Sequence, residues 1–215
     1  MTGRDGEAAA TTPAPARAME GAPAGRLDAL MAAVRATGGK GPAPVDKWNP
    51  PDCGDMDMRI AADGTWFYMG TPIGRPALVR LFASVLAREG ARYVLKTPVE
   101  KIGIKVDDAP FLAVEMAPEQ GPQGPTLVFR TNLDDLVRCG PEHALRFAPG
   151  AEEGEFVPYL HVRYGLEARL TRAAYFDLVA AGEVRAVDGR EMFGVASGGA
   201  FFPIMPAAGL DLSAS

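Results

Sequence analysis

Apolar residues that recur every three or four positions predict three helices. The clearest stripe predicts a helix from Pro76, which suits the first helical position, to a C-terminal stop at Gly90. Its buried face would consist of Leu78, Leu81, Phe82, Val85 and Leu86. A shorter stripe over residues 27–34 predicts an N-terminal helix. The third helix is predicted over residues 172–181, with Thr171 as its N-cap.

Alternating apolar and polar residues predict strands around these helices. Asp63-Gly64 supplies the positive-φ turn of a first hairpin, with residues 57–60 before it and residues 65–69 after it. The other predicted strands cover residues 92–96, 99–106, 111–114, 127–131, 136–139, 144–147, 159–163, 166–170, 191–196 and 200–204. Each half of the chain therefore has the order strand, strand, helix, further strands.

This order predicts an α+β fold of two related small domains, each a mainly antiparallel sheet or roll packed on one helix, with an extra N-terminal helix. The proline- and glycine-rich residues 117–125 are the predicted linker. The N-terminal tail, residues 1–25, is predicted to be disordered because it is poor in large apolar residues. The predicted segments are a disordered tail (1–25), the N-terminal helix and its linker (26–42), a first domain (43–116), the interdomain linker (117–125), a second domain (126–205) and a C-terminal tail (206–215).

A weak internal repeat accompanies this order. About ninety residues separate each member of three matched pairs, which are Gly90 and Gly182, Gly103 and Gly194, and Phe111 and Phe202. Duplication of one unit would explain both the spacing and the shared order of elements. A chance match of a few glycines and aromatic residues is the alternative.

Composition limits the classes of function. The 215 residues are 47% hydrophobic and 23% charged, which is ordinary for a globular protein. A formal net charge of −5 argues against a broad surface for long nucleic acid. No apolar run approaches the length of a membrane span, and two cysteines, Cys53 and Cys139, cannot build a disulfide framework. We therefore expect a cytoplasmic protein with no membrane or long nucleic-acid partner, and the sequence identifies no protein partner.

Candidate catalytic groups are few. No serine lies in a Gly-x-Ser-x-Gly motif, and the two histidines lack metal-ligand spacing. Cys53, in a loop rich in proline and glycine, is the better candidate nucleophile, although cysteines are more often small buried residues. Asp52, Asp55 and Asp57 are candidate ligands for a hard cation, and turn capping or pairing with arginine is the alternative. The sequence therefore assigns no catalytic residue, cofactor or metal.

One set of residues suits a planar, anionic ligand such as a nucleotide, because aromatic rings stack on bases and guanidinium groups bind phosphate. His161 and Arg163 share one face of a predicted strand, and Arg130 and Asn132 are spaced in the same way. The candidate binding residues are Trp66, Tyr68, Arg75, Arg130, Asn132, His143, His161 and Arg163. A buried aromatic cluster with solvated charges is the alternative, and we expect it to hold for Phe67 and for Trp66 or Tyr68.

Arg75 is the central candidate. It precedes the second predicted helix, where the helix dipole disfavours a cation unless an anion completes the site. If helical geometry extends to Arg75, its direction matches that of Phe82, so the side chain would point inward. The anion is then either a ligand or a carboxylate of this protein, with Asp55 or Asp57 as the natural partners.

Several short motifs resemble an uncharacterised bacterial family, the domain-of-unknown-function family numbered 1285. They are residues 63–68 (DGTWFY), 71–75 (TPIGR), 78–82 (LVRLF), 97–101 (TPVEK), 109–111 (APF), 130–132 (RTN) and 140–143 (GPEH). The resemblance covers roughly residues 48–202. It implies a two-domain α+β protein with repeated motifs and no established catalytic residues. It also implies a nucleotide-like ligand in the cleft between the domains, with a part in signalling.

We therefore expect non-catalytic binding of a small anionic ligand, such as a nucleotide, in the interdomain cleft, with a regulatory or signalling role. An enzyme acting on a phosphorylated or nucleotide substrate is one alternative. A protein–protein adaptor without a small ligand is the other.

Overall fold

The computed structural model describes residues 23–37, 41–152 and 154–208. Within them the chain forms three α-helices, α1 (Pro23–Ala36), α2 (Pro76–Ser84) and α3 (Arg172–Ala180). The strands are β1 (Asp52–Ile60), β2 (Trp66–Tyr68), β3 (Thr71–Pro72), β4 (Leu86–Glu89), β5 (Arg92–Lys96), β6 (Lys101–Val106), β7 (Phe111–Gly121), β8 (Gly124–Thr131), β9 (Leu136–Arg138), β10 (Leu145–Pro149), β11 (Phe156–Arg163), β12 (Leu166–Leu170), β13 (Glu183–Val187), β14 (Arg190–Ser197) and β15 (Ala200–Pro206). No helix in this part of the chain is long and apolar enough to cross a membrane.

The first domain is a single sheet packed on α2. Its strand order is β3-β2-β1-β6-β5-β4, and every pair is antiparallel except β1 with β6. Alternate residues at the end of β1 are buried, as its apolar pattern requires. Phe82 of α2 stacks on Trp66 of β2 with ring centroids 6.3 Å apart. Helix α1 adds the buried side chains Leu30 and Val34 to the core.

The second domain contains two sheets. The larger has the order β10-β11-β12-β7-β8-β9, with β12 parallel to β7, and the smaller is the antiparallel sheet β13-β14-β15. Buried Ser197 joins the sheets, because its Oγ accepts from the Leu127 N–H and donates to the Cys139 carbonyl, both at 2.8 Å. Helix α3 begins at the predicted cap, where the Thr171 side chain accepts from the Ala174 N–H. The predicted two-domain α+β fold is confirmed.

The predicted end of α2 is wrong. The helix stops at Ser84, and the chain continues as β4, so Gly90 lies in the β4–β5 turn with a φ of 62°. Val85 and Leu86 are both fully buried. A run that is apolar on every side has no period, so the pattern cannot distinguish the end of a helix from the start of a strand.

The predicted linker at residues 117–125 is also wrong. These residues form the distal part of the β7–β8 hairpin, and the domains are joined at residues 107–110, between β6 and β7. Pro118 is tolerated because β12 pairs with β7 only as far as Ala113, which leaves an unpaired edge beyond it. A proline-rich sequence can therefore belong to a strand with an unpaired edge, and here that composition was interpreted as a linker.

The two halves share an order of elements but not the predicted residue pairs. Each contains a hairpin, a helix and a three-stranded meander, which are β1-β2, α2 and β4-β5-β6 in the first half and β11-β12, α3 and β13-β14-β15 in the second. Gly182 directly follows α3, whereas Gly90 follows β4, and Gly103 and Gly194 lie in the third and second meander strands. Only the first meander closes back on its hairpin, through the β1–β6 pair. The ninety-residue pairing is therefore wrong, and duplication stays a prediction.

The predicted tails lie mostly outside the described residues. Residues 1–22 and 209–215 are not described. Pro23 to Gly25 belong to the first turn of α1, and Pro206 ends β15, so the helix and the last strand each extend past the predicted boundary.

Candidate functional site

A cleft lies between the two domains beside α2. It has two chambers of about 280 Å³ and about 510 Å³, which share Pro42, Asp135 and Arg163. The smaller, here called the α2 chamber, lies between one face of α2 and the second-domain residues Leu133, Asp135 and Arg163. The larger, here called the His143 chamber, is lined by β9, the end of β11 and His143.

Arg163 connects the walls of this cleft. Its Nη1 donates to Asp135 at 2.7 Å, and its Nη2 donates to the carbonyl of Ala83, in the last turn of α2, at 3.2 Å. The last carbonyls of a helix lack partners within the helix, so a cation is favourable there. The side chain is 13% exposed, and its Nε is buried with no hydrogen-bond partner among the described residues. Arg163 therefore joins the second domain to α2, and its buried Nε–H is left without a partner among the described residues.

The sequence did not identify two further arginines in the cleft. Arg80 lines the α2 chamber and pairs with Asp134 at 3.2 Å, while Arg138 lines the His143 chamber and pairs with Glu119 at 3.0 Å. At least 48% of each of these side chains is exposed, so both ion pairs are weak. On the face of the helix opposite the apolar stripe, helical spacing places Ala77, Arg80 and Ser84 together. This spacing was the signal that could have located Arg80 in the cleft.

The two histidines are stacked, with ring centroids 5.8 Å apart. His143 Nδ1 lies 3.2 Å from the His161 carbonyl, and His161 Nδ1 lies 2.9 Å from the Glu142 carbonyl. A carbonyl only accepts, so each Nδ1 carries a proton, and Nε2 is the ring nitrogen left for another partner. His143 lines the cleft, whereas His161 does not.

The predicted aromatic surface is not part of the cleft. Trp66 is 1% exposed and belongs to the core, although its Nε1 has no hydrogen-bond partner among the described residues. Tyr68 is half-buried against the core. Phe67, expected in the core, is also only half-buried, and the Arg59 guanidinium lies 4.6 Å from its ring centroid.

Arg75 does not point inward. Its backbone is extended, with φ −105° and ψ 104°, so helical geometry begins only at Pro76 and the side chain is exposed. Asp55 pairs with Arg92 at 2.5 Å and not with Arg75. Asp57 is exposed on β1, and no ion pair joins it to Arg75. The expected internal carboxylate partner is therefore wrong, and the side chain lies outside the cleft lining.

Arg130 and Asn132 lie near the cleft but face other partners. Arg130 pairs with Glu115 and, at 3.2 Å, with Asp134. Asn132 Oδ1 accepts from the Leu112 N–H at 3.1 Å. Its amide packs on the Asp63-Gly64 turn of the first domain, where a Cβ on Gly64 would meet Nδ2 at 2.7 Å. Asn132 is thus an interdomain contact.

The acidic cluster is used in internal pairing. Arg92 donates to both Asp52 and Asp55 and to the Gly54 carbonyl. The hydrogen bond from Arg92 is the main reason that the pKa of Asp52 lies below its usual value. No group of three metal-ligating side chains occurs within the described ranges.

The two cysteines differ in environment. Cys53 is exposed beside the acidic cluster and lines neither chamber of the cleft. Cys139 is buried next to Ser197, and burial raises the pKa of its thiol to about 11. At neutral pH Cys139 is therefore a protonated thiol and a poor nucleophile.

A tyrosine–aspartate contact supports the junction of the domains. Tyr159 Oη donates to Asp108 Oδ1 at 2.7 Å, and Arg169 donates to Asp108 Oδ2 at 2.9 Å. Burial, together with the hydrogen bond to Asp108, raises the pKa of Tyr159 to about 12. Asp108 lies in the segment between β6 and β7, so this network fixes the connection between the domains.

Comparison with known proteins identifies relatives for both domains. The family model described as "Domain of unknown function (DUF1285), N-terminal domain" matches residues 43–109, and "Protein of unknown function (DUF1285), C-terminal domain" matches residues 110–204. A DUF1285 family protein from Silicibacter pomeroyi DSS-3 is 51% identical in sequence, and its crystal structure matches with a TM-score of 0.74 over 83% of this chain and 96% of that chain. A DUF1285 family protein from Shewanella baltica OS155 is 31% identical over 57% of this chain and 90% of that chain, with a TM-score of 0.46. No curated protein matches the chain.

Proposed function

This chain belongs to the DUF1285 family, whose function is unknown, and we therefore propose a function from the chemistry of the cleft. The protein binds a small anionic ligand, such as a nucleotide, between its domains. Binding is non-catalytic and has a regulatory role. The observation that carries this proposal is the convergence of arginines from both domains, Arg80 and Arg163, on one chamber.

The charge of the cleft favours an anion. Arg80, Arg138 and Arg163 line it, against one carboxylate, Asp135. The partners of Arg80 and Arg138 are exposed and easily exchanged for a phosphate oxygen. The His143 chamber, at about 510 Å³, is within the range of small-molecule sites, and the α2 chamber, at about 280 Å³, is just below its lower limit.

A regulatory role follows from the position of Arg163. A phosphate that competes with Asp135 for Arg163 would change the contact that ties the second domain to Ala83 of α2. Ligand binding would then alter how firmly the domains are held together. A ligand shifts a conformational equilibrium only when it interacts differently with the two states, and competition for Arg163 would supply that difference. We include a cytoplasmic location in this proposal, since the exposed thiol of Cys53 would stay reduced there.

The test compares phosphorylated and unphosphorylated probes. We expect ATP, and inorganic phosphate more weakly, to raise the thermal midpoint, while adenosine has no effect. Replacement of Arg80 by Gln removes a charge-assisted hydrogen bond worth about 1.5–3 kcal/mol, so affinity should fall roughly 10- to 100-fold in calorimetric titration.

Arg75→Gln is the matched control, since it removes the same charge from the start of α2, outside the cleft lining. Loss of binding in Arg75→Gln but not in Arg80→Gln would place the ligand at the start of α2 and contradict the cleft proposal. No response to either phosphorylated probe would also contradict it.

An enzyme acting on a phosphorylated or nucleotide substrate is the second candidate. It is favoured by His143, whose Nδ1 lies against the His161 carbonyl, so that Nε2 is the ring nitrogen left to exchange a proton with a substrate in the His143 chamber, which Arg138 also lines. Incubation with ATP followed by chromatography separates the two, because a binding protein returns the nucleotide unchanged and an enzyme releases a product.

A further inference from the structure

The outer edge of the smaller sheet of the second domain is unprotected. Strand β13 is at the end of the order β13-β14-β15, and four of its five residues are exposed. It contains no proline, lysine or bulge, which are among the devices that prevent an edge from pairing, and its two charged residues, Glu183 and Arg185, have opposite signs. The edge strands β3 and β9 have only two and three residues, and β15 contains Pro203 and Pro206.

The hairpin geometry identifies which backbone groups face outward. Asp188 and Gly189 form a two-residue turn with φ values of 50° and 76°, so the flanking pair Val187–Arg190 is hydrogen-bonded. Alternation then directs the backbone groups of Glu183, Arg185 and Val187 toward β14. The Ala207 N–H donates to the Glu191 carbonyl at 2.9 Å, which confirms that Glu191, opposite Ala186, faces the other neighbour. The N–H and C=O groups of Val184 and Ala186 therefore point away from the sheet.

The charges on β13 are complementary to those of a second, antiparallel β13. Glu183 and Arg185 lie on one face, where they pair at 2.6 Å, and the Arg185 guanidinium is held 5.3 Å from the Phe201 ring centroid. A twofold axis at Val184 places each Glu183 opposite Arg185 of the other copy. It also makes Val184 of one copy and Val184 of the other a hydrogen-bonded pair. An axis at Glu183 or Arg185 would instead oppose like charges, which is destabilising.

We propose that two copies of this chain associate through β13, with Val184 on the twofold axis and Glu183 opposite Arg185, to form one continuous six-stranded sheet. Val184 N–H and C=O bond across the axis, and the Ala186 N–H meets the Gly182 carbonyl. Val179 of α3, an exposed apolar residue, adjoins the same strand through the tight turn at Gly182, whose N–H donates to the Val179 carbonyl. This interface is separate from the interdomain cleft and does not depend on a ligand.

Site-directed crosslinking tests the register, in a Cys53→Ser background that removes the exposed native thiol. In a hydrogen-bonded antiparallel pair the Cα atoms are about 5.5 Å apart, which suits a disulfide. Val184→Cys should therefore form a covalent dimer on mild oxidation. Ala186→Cys is the matched control, because this register separates its two copies by about 14 Å, beyond the reach of a disulfide.

Charge reversal tests the pairing in sedimentation velocity over a concentration series. The parent protein should show a reversible dimer that Glu183→Arg and Arg185→Glu each abolish, whereas the double variant restores it. Unchanged thermal midpoints exclude unfolding as the cause of a lost dimer, and Val184→Pro supplies an independent disruption, since its lost N–H points away from β14.

The outcomes are decisive. A parent protein that stays monomeric and a Val184→Cys variant that fails to crosslink would overturn the proposal and leave the edge for an extended segment of another protein. Equal crosslinking of Ala186→Cys, or a dimer insensitive to all three β13 substitutions, would overturn this register and this interface.

Discussion

Replacement of Arg163 by methionine should destabilise the protein and weaken the connection between its domains. The substitution keeps an apolar stem of similar length and removes the guanidinium. Asp135 then loses the bond of 2.7 Å, and the Ala83 carbonyl loses the bond of 3.2 Å. Each hydrogen bond to a charged group is worth about 1.5–3 kcal/mol. Because Asp135 is 31% exposed and regains water, we expect a net loss of about 2–3 kcal/mol.

Calorimetry with a matched variant measures this effect. For a chain of this size about 1 kcal/mol lowers the thermal midpoint by about 2–4 °C, so Arg163→Met should unfold roughly 4–12 °C earlier. Its transition should also become less cooperative, with a calorimetric enthalpy above the van't Hoff enthalpy. Arg138→Met, which removes an exposed pair with Glu119 on the same cleft, should change stability by less than about 0.5 kcal/mol. Equal effects of the two substitutions would refute the role of Arg163 as the interdomain tie.

Three further predictions concern the core, the sheets and the response to pH. Ser197→Ala leaves the buried Leu127 N–H without its acceptor and should cost about 1–3 kcal/mol in urea unfolding; a loss below about 0.5 kcal/mol contradicts this. Gly194→Ala should destabilise the protein far more than Gly103→Ala. The Cβ added at Gly194 meets the backbone at Phe202 and Pro203, whereas the Cβ added at Gly103 meets the movable ends of side chains. Equal thermal midpoints of the two variants would show that β15 shifts to accommodate the added methyl group and would contradict this prediction. The pKa of Tyr159 is raised to about 12 from about 10 in the unfolded chain, so its contribution to stability is complete below pH ~10 and is lost toward pH ~12. Tyr159→Phe should therefore flatten the decline of the thermal midpoint over that interval, and an unchanged slope would contradict the assignment.

Local signals in the sequence determined most of the secondary structure. Thr171 caps α3 as predicted, since a cap is a contact between residues three apart. The turns at Asp63-Gly64 and Tyr164-Gly165 have positive φ values and join the expected hairpins. Alternation identified strands such as β11 and β12, because one face of each is buried and the other is not. It missed β13, whose exposed residues carry no such contrast.

Tertiary structure decided the site. Among Trp66, Phe67 and Tyr68, the sequence analysis favoured Phe67 for the core, whereas Trp66 is the buried ring and packs there on Phe82. Arg80, Asp135 and Arg163 are separated by tens of residues and meet because β11 and the loop before β9 pack beside α2.

The parallel pairs β1–β6 and β12–β7 likewise join strands that are distant in sequence. Periodicity reports which face of an element is buried and says nothing of which neighbour buries it. The sequence by itself therefore determined most of the elements, the cap of α3 and the family, whereas the arrangement of charges in the cleft depended on how those elements pack against one another.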